Sequence, residues 1–191
     1  MKLSLKKRAG ATKSEIKTLR REGNIPAILY GSEKHPEKIV VPGVEFQTIL
    51  RQLKLKSGHL ATTVFELELD GVAKKALVKD IQYHPATYAI EHLDFILLSD
   101  GKHVSINVPI QVLGAADCPG IKLGGTLRQV IRTMKVSCLP ADIPKEFQVD
   151  IRELGLDQSK RLSEIAIPSN VRPMARMNEV AIVIAKGKGA A

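Results

Sequence analysis

Three side chains of the sequence, His84, His92 and Asp94, are of types that perform acid–base chemistry. A histidine that is oriented by an aspartate can activate a hydroxyl or thiol nucleophile, so a hydrolase site is one interpretation. No serine or cysteine near these residues stands in a nucleophile motif such as GxSxG. The glycine-rich stretch at residues 120–125 also lacks the GxxxxGKS or GxxxxGKT spacing of a phosphate-binding loop. The sequence therefore favours a non-enzymatic protein.

The same side chains also suit RNA binding. An imidazole can stack on a base or form hydrogen bonds to phosphate, ribose or base edges. If residues 91–95 form a strand, alternation places His92 and Asp94 on one face and Glu91, Leu93 and Phe95 on the other. A solvated strand face is the alternative interpretation of this pair.

The cations of the chain are concentrated in its first thirty residues. Eight lysines and arginines stand there against two glutamates, which gives a local charge of +6 out of +9 for the whole chain. A basic cluster of this density indicates a polyanionic partner, while a merely solvated basic terminus is the alternative. The eight cations are Lys2, Lys6, Lys7, Arg8, Lys13, Lys17, Arg20 and Arg21.

The basic segment is predicted to be folded rather than a disordered arm. Leu3 and Leu5 alternate with polar residues, as on a half-buried strand. Residues 25–31 form an apolar run ended by glycine, which predicts a second strand. Cations that are held on ordered elements fit a partner of defined shape better than one that is only charged.

A short helix is predicted between these two strands. Ser14 is expected to cap its start, and Gly23 is expected to end it in the left-handed conformation. Four cations within this helix recur at spacings of three and four residues, so they share roughly one face. They are Lys13, Lys17, Arg20 and Arg21.

The residues up to position 98 predict several further strands and one more helix. The apolar patterns indicate a strand at 39–41, a helix at 44–53, a strand at 63–69, a hairpin at Asp70-Gly71, a returning strand at 76–78, a break at 81–85 and a strand at 89–98. So many short strands in about a hundred residues predict a small barrel or a strongly curved sheet.

A boundary is predicted at residues 99–102, which divides the chain into domains of residues 1–97 and 98–191. The second half predicts strands at 104–113, 147–151 and 180–184 and a short helix at 159–165. The predicted fold class is therefore mainly β with short helices (α+β), with an N-terminal small β-barrel and a second β-rich domain.

Several classes of protein are disfavoured by the remaining features. Cys118 and Cys138 show no CxxC spacing and are expected to be ordinary reduced cysteines, and the five histidines show no metal-ligand spacing. We therefore expect no metal and no cofactor. No apolar run reaches the roughly 18 to 20 residues that span a bilayer, and the N-terminus lacks the apolar region of a secretory signal. These features predict a cytoplasmic protein without a membrane partner.

Five blocks of the sequence, in order and over nearly the whole chain, carry a family resemblance. They are LRREGNIPAILYG at 19–31, VKDIQYHP at 78–85, EHLDF at 91–95, PGIKLGG at 119–125 and CLPADIP at 138–144. With these blocks the chain resembles the family of bacterial large-subunit ribosomal proteins number twenty-five, which bind 5S rRNA, in its long two-domain form (general stress protein CTC type).

This resemblance implies a structural constituent of the large ribosomal subunit that contributes to translation. It implies an N-terminal β-barrel similar to the anticodon-binding domain of glutaminyl-tRNA synthetase, which docks on the loop E region of 5S rRNA. It further implies a mostly β C-terminal domain, for which neighbouring ribosomal proteins or 23S rRNA are the expected partners. By matching motif, the resemblance also implies that ten residues contact the RNA. They are Arg8, Lys13, Ser14, Lys17, Arg20, Arg21, Tyr30, His84, His92 and Asp94.

Two other functions remain as alternatives to this expectation. A tRNA-type binding module is one, because similarity of fold does not by itself separate one RNA target from another. The hydrolase that would use His84, His92 and Asp94 is the other.

Overall fold

A computed structural model of the chain describes residues 1–8, 12–31, 36–55, 58–69, 71–99 and 101–186. The packing of Cα atoms divides the chain into two compact units, Met1–Val104 and Ser105–Ala191. Each unit is built mainly of β-strands with short helices, which confirms the predicted fold class.

The first unit is a closed barrel of six strands. Its elements are β1 (Lys2–Lys7), α1 (Lys13–Arg21), β2 (Asn24–Tyr30), β3 (Glu37–Pro42), α2 (Gly43–Leu55), β4 (Phe65–Leu69), β5 (Val72–Tyr83) and β6 (Ile90–Leu97). The strand order is β1-β3-β2-β6-β5-β4. A parallel pairing of β1 with β4, in which Leu3 faces Leu67, closes the sheet on itself. Each of the six strands therefore pairs with a neighbour on both sides.

Apolar side chains fill the inside of this barrel. The rings of Phe46, Phe65 and Phe95 are fully buried, and Phe65 lies 6.4 Å from Phe46 and 6.3 Å from Phe95 between ring centroids. Helix α2 adds Ile49 and Leu53 to the same core, as its apolar spacing predicts. Each buried side chain of this size stabilises the fold by about 1.5 to 3 kcal/mol, so the core fixes which face of each strand points outward.

Helix α1 begins two residues earlier than the sequence predicts, because its N-cap is Thr12 and not Ser14. The Glu15 amide donates to Thr12 Oγ1 at 3.4 Å, and the Thr12 amide donates to Glu15 Oε2 at 3.1 Å, which together form a capping box. The prediction of Ser14 as the cap is therefore wrong, because Thr12 has a glutamate three residues further on and Ser14 does not. The predicted left-handed end at Gly23 is confirmed by its φ of +78°.

The β5–β6 hairpin also differs in part from the prediction. Strand β5 continues to Tyr83, so the break expected at residues 81–85 is wrong for residues 81–83 and begins only at His84. Two β-bulges explain the error: Lys79 is an extra residue in β5, and Glu91 is an extra residue in β6. Each bulge shifts the alternation of apolar residues by one position. At the other end of β5, Gly71 turns with a φ of +80°, while Asp70 of the predicted hairpin signal lies outside the described residues.

The second unit contains two sheets. Its elements are β7 (Val104–Leu113), α3 (Pro119–Lys122), β8 (Gly125–Gln129), β9 (Thr133–Cys138), β10 (Phe147–Asp150), β11 (Ser159–Arg161), β12 (Arg172–Pro173) and β13 (Val180–Lys186). One sheet has the order β10-β7-β9-β12, and the other has the order β11-β13-β8. The helix predicted at 159–165 is wrong, because residues 159–161 pair with β13 and only a 3-10 turn, Leu162–Glu164, follows.

The capping box gives a testable prediction for helix α1. Replacing Thr12 by Ala removes the hydroxyl that accepts the Glu15 amide, and the loss of such a cap costs about 1 kcal/mol. Amides of α1 such as that of Ile16 should therefore exchange with solvent about fivefold faster, as measured by native-state hydrogen exchange.

Ser14→Ala is the matched control. Ser14 is exposed, and its backbone carbonyl accepts a hydrogen bond from Thr18 Oγ1 at 3.2 Å, a contact that the substitution keeps. Exchange in α1 should then change by less than about twofold. Equal acceleration in the two variants would contradict the assignment of Thr12 as the cap.

Candidate nucleic-acid interface

His92 and Asp94 lie together on the outer face of β6. Leu93 and Phe95 point into the barrel with no exposed surface, so alternation turns the two polar residues outward, as predicted. The Nδ1 atom of His92 lies 2.8 Å from Oδ1 of Asp94, and their side chains are 17% and 21% exposed. The carboxylate accepts a hydrogen bond from the Nδ1–H group and so fixes the tautomer of the ring, which directs Nε2 toward a partner.

Neighbouring strands extend this surface on both sides. In β2, Ile28 is in register with Asp94, and Tyr30 follows two residues later on the same face. In β5, Asp80 faces Asp94 and Gln82 faces His92. We call the surface formed by Ile28, Tyr30, Lys79, Asp80, Gln82, His92 and Asp94 the outer β face.

Four members of the outer β face were not predicted as site residues: Ile28, Lys79, Asp80 and Gln82. Lys79 is the bulged residue of β5 and Asp80 and Gln82 follow it, so the bulge hides their alternation with the buried residues of that strand. The Nζ atom of Lys79 lies 5.5 Å from the centre of the Tyr30 ring, a cation–π geometry that joins β5 to β2 across β6. The block 78–85 contributes to the family resemblance, but its residue pattern does not indicate which of its side chains point outward.

Helix α1 carries its predicted cations beside the start of β6. Lys13, Lys17 and Arg20 line an open groove of about 540 Å³ together with Glu91. Arg21 is exposed on the same helix. The helix thus adds a basic surface next to the strand that presents His92.

Arg20 has a structural contact that the sequence did not indicate. Its guanidinium donates to the Glu91 carbonyl through Nε at 3.2 Å and through Nη2 at 3.1 Å. Glu91 is the extra residue of the β6 bulge, so its carbonyl lies outside the regular register of the ladder. Arg20 therefore fixes α1 to β6 and positions the basic face of the helix.

His84 is not brought together with the His92–Asp94 pair by hydrogen bonding. Its Nδ1 atom accepts from the amides of Ala86 and Thr87 at 3.3 and 3.2 Å. His84 thus organises the turn between β5 and β6 and carries its proton on Nε2. His84 is thus oriented by backbone amides and not by Asp94, unlike the histidine of a hydrolase triad, whose Nδ1–H is held by the aspartate.

Arg8 and Ser14 lie on a different flank of α1 from Lys13 and Lys17. Both line an open groove of about 650 Å³ between α1 and the strands β1 and β3, with Val40 among its apolar residues. The Nε and Nη1 atoms of Arg8 are buried and have no hydrogen-bond partner. A guanidinium in this state is stabilised by any acceptor that enters the groove, and a phosphate oxygen is a strong one.

Other chemical sites are absent from the described part of the chain. No group of three or more His, Cys, Asp or Glu residues there could hold a metal ion. Cys118 and Cys138 are both free and buried. Burial, and to a smaller extent the Asp142 carboxylate, raises the pKa of the Cys138 thiol above its usual value. No helix among these residues is both long enough and apolar enough to cross a membrane.

The fold and the site define a small β-barrel protein with a second β-rich unit and a basic, polar surface suited to nucleic acid. Residues 3–95 match the Ribosomal L25p family, and residues 103–188 match the C-terminal domain of ribosomal protein TL5. The chain belongs to the Ribosomal L25p family.

Relatives along the whole length show the same membership. A protein of Chlamydia trachomatis serovar L2 called large ribosomal subunit protein bL25 is 47% identical over 186 residues, which cover 97% of this chain and 100% of the relative. The proteins of the same name from Chlamydia muridarum and Chlamydia caviae are 45% and 42% identical over the same spans. Membership confirms the resemblance carried by the five blocks and the expectation of a non-enzymatic protein.

The two histidines of the hairpin should show opposite tautomers. At a pH where both rings are neutral, His92 should carry its proton on Nδ1 because Asp94 accepts it, and His84 should carry it on Nε2 because its Nδ1 accepts two amides. Long-range proton–nitrogen NMR of the free protein distinguishes the two patterns in one spectrum.

Asp94→Ala provides the control for this measurement. The Nδ1 pattern of His92 should be lost, while that of His84 should stay unchanged. A His92 ring with its proton on Nε2 in the unmodified protein would show that Asp94 does not orient it.

Proposed function

We propose that the chain is a structural constituent of the large ribosomal subunit that binds 5S rRNA, in its loop E region, through the first unit. The observation that carries the proposal is the His92–Asp94 pair on the outer β face, beside a helix whose cations are held in place. Membership in the Ribosomal L25p family and relatives named as large-subunit proteins support it. The protein would then act in translation on cytoplasmic ribosomes.

The chemistry of this surface suits a double-stranded RNA of defined shape. An A-form helix presents 2′-hydroxyls and base edges in a wide, shallow minor groove with phosphates on either side. His92 Nε2, the Tyr30 hydroxyl and the Asp94 carboxylate can hydrogen-bond to these groups. Lys13, Lys17 and Arg21 can neutralise the flanking phosphates, and Arg8 and Ser14 offer a second contact on the other flank of α1.

The RNA-binding role is proposed for a domain of residues 1–97, and residues 98–191 form the second domain of this proposal. The separate matches at 3–95 and 103–188 and the two compact units support such a division. For the second domain, neighbouring ribosomal proteins or 23S rRNA are the proposed partners.

The proposal is tested by competition between RNAs. The full chain should bind 5S rRNA at least about tenfold more tightly than tRNA at 0.15 M salt, because shaped contacts add to the phosphate attraction that both RNAs share. Filter binding of labelled 5S rRNA with unlabelled tRNA as competitor measures the ratio. Equal affinities would favour a general RNA-binding module over a 5S rRNA protein.

Substitution of Asp94 distinguishes a site with specific hydrogen bonds to RNA from a surface that attracts RNA by positive charge alone. A carboxylate about 8 Å from a phosphate in a water-like dielectric raises the free energy of the complex by only about 0.5 kcal/mol. Removing it leaves the RNA donors that the carboxylate would accept unsatisfied, at about 1 to 3 kcal/mol, and no longer fixes the tautomer of His92. Asp94→Ala should therefore weaken 5S rRNA binding by roughly tenfold, as measured at fixed salt.

Glu68→Ala is the matched control, because Glu68 is an exposed carboxylate on β4 that does not belong to the outer β face. It is in register with Ala73, at the opposite end of β5 from Asp80 and Gln82. Its removal should leave affinity unchanged or slightly tighter, since only repulsion is relieved. If Asp94→Ala also binds as tightly as the unmodified chain, with an unchanged melting temperature, specific contacts by Asp94 are ruled out.

A further inference from the structure

Tyr88 has an unusual combination of backbone conformation and exposure. It lies at the tip of the β5–β6 hairpin with a φ of +54°, in the left-handed region, and 79% of its surface is exposed. Left-handed conformations are uncommon for residues other than glycine, and asparagine and aspartate tolerate them far better than an aromatic residue does. Strain of this kind concentrates at functional sites, and the fold gains little from a ring that it does not bury.

The turn that carries Tyr88 is tied together by hydrogen bonds. The amide of Tyr88 donates to the His84 carbonyl at 2.9 Å, and the amide of His84 donates to the Ala89 carbonyl at 2.8 Å. His84 Nδ1 accepts two further amides inside the turn, from Ala86 and Thr87. The ring of Tyr88 is thus presented from an ordered backbone.

The surroundings of the turn indicate which partner the ring would meet. His84 and Thr87 line a groove of about 200 Å³ together with Arg20, Asn24 and other residues at the end of α1. The basic end of α1 therefore adjoins the foot of the turn. Tyr88 also precedes His92 by four residues in the same hairpin, so the tip is continuous with the outer β face.

We propose that Tyr88 is an additional RNA contact, whose exposed ring stacks on an unpaired or extruded nucleobase next to the helix that the outer β face binds. An exposed aromatic ring suits the π-face of any base, and adjacent cations suit the phosphates that accompany it. This inference rests on the proposed function, since it extends the same RNA surface.

Three substitutions in the full chain distinguish base stacking by the Tyr88 ring from the effects of backbone conformation and of charge. Tyr88→Asn removes the ring but tolerates the left-handed conformation, so it should weaken 5S rRNA binding by about tenfold, while the melting temperature stays equal or rises. Tyr88→Phe keeps the stacking face and should bind within about twofold of the unmodified chain. Arg21→Ala should lower the salt dependence of binding by about one unit, whereas Tyr88→Asn should leave that slope unchanged, because stacking releases no counterions.

Fluorescence gives a direct reading of the stacked state, because the chain contains no tryptophan. Tyr88→Trp should show emission that is quenched when 5S rRNA is added. Val72→Trp is the control: Val72 is 56% exposed and begins β5, about 35 Å along the strand from Tyr83 at its other end. Its emission should change little.

The outcomes distinguish this inference from the proposed function. If the unmodified chain does not prefer 5S rRNA over tRNA, the proposed function fails. If it does, but Tyr88→Asn binds as well as the unmodified chain, or the two tryptophan variants are quenched equally, only the role of Tyr88 is overturned. A loss in Tyr88→Phe as large as that in Tyr88→Asn would also overturn stacking.

Discussion

Burial of Phe95 inside the closed barrel is the constraint on which the candidate site depends. The ring is fully buried and packs edge-on against Phe65. Because side chains alternate along a strand, a slip of β6 by one residue would place Phe95 in solvent and turn Asp94 and His92 into the core. The loss of one buried aromatic side chain amounts to several kcal/mol, which is a large fraction of the stability of a small domain. The apolar core therefore fixes the direction of the polar pair.

A second constraint joins the basic helix to this surface. The bulge at Glu91 takes a carbonyl out of the regular β5–β6 register, and the Arg20 guanidinium satisfies it through two hydrogen bonds. Helix α1 has no fully buried residue, so this contact and the partial burial of Ile16 and Leu19 hold it against the barrel. The result is a surface in which cations border, rather than surround, the acidic group at Asp94. Such a mixed surface suits groove hydroxyls and base edges next to phosphates better than it suits a uniform polyanion.

The sequence predicts the parts of this structure that repeat with a regular period and misses those that do not. The outward placement of His92 and Asp94 followed from the apolar residues that alternate with them. The sequence does not predict the full extent of β5, because the bulge at Lys79 breaks the alternation of apolar and polar residues. For the same reason it does not predict that Asp80 and Gln82 point outward. The helix cap was assigned to Ser14 although Thr12 and Glu15 have the spacing of a capping box. The anchoring role of Arg20 depends on a carbonyl seventy-one residues away, and no local pattern shows such a contact.

Chemical-shift mapping of the full chain during titration with 5S rRNA tests the central claim most directly, because it shows which residues form the interface. The account predicts that signals of α1 and of Tyr30, Gln82, His92 and Asp94 change together at one stoichiometric ratio. Exposed cations elsewhere on the barrel, such as Arg51 on α2, should change little. Changes of similar size at Arg51 and the α1 cations, all fading together as salt is raised, would contradict the account and indicate a general cationic surface.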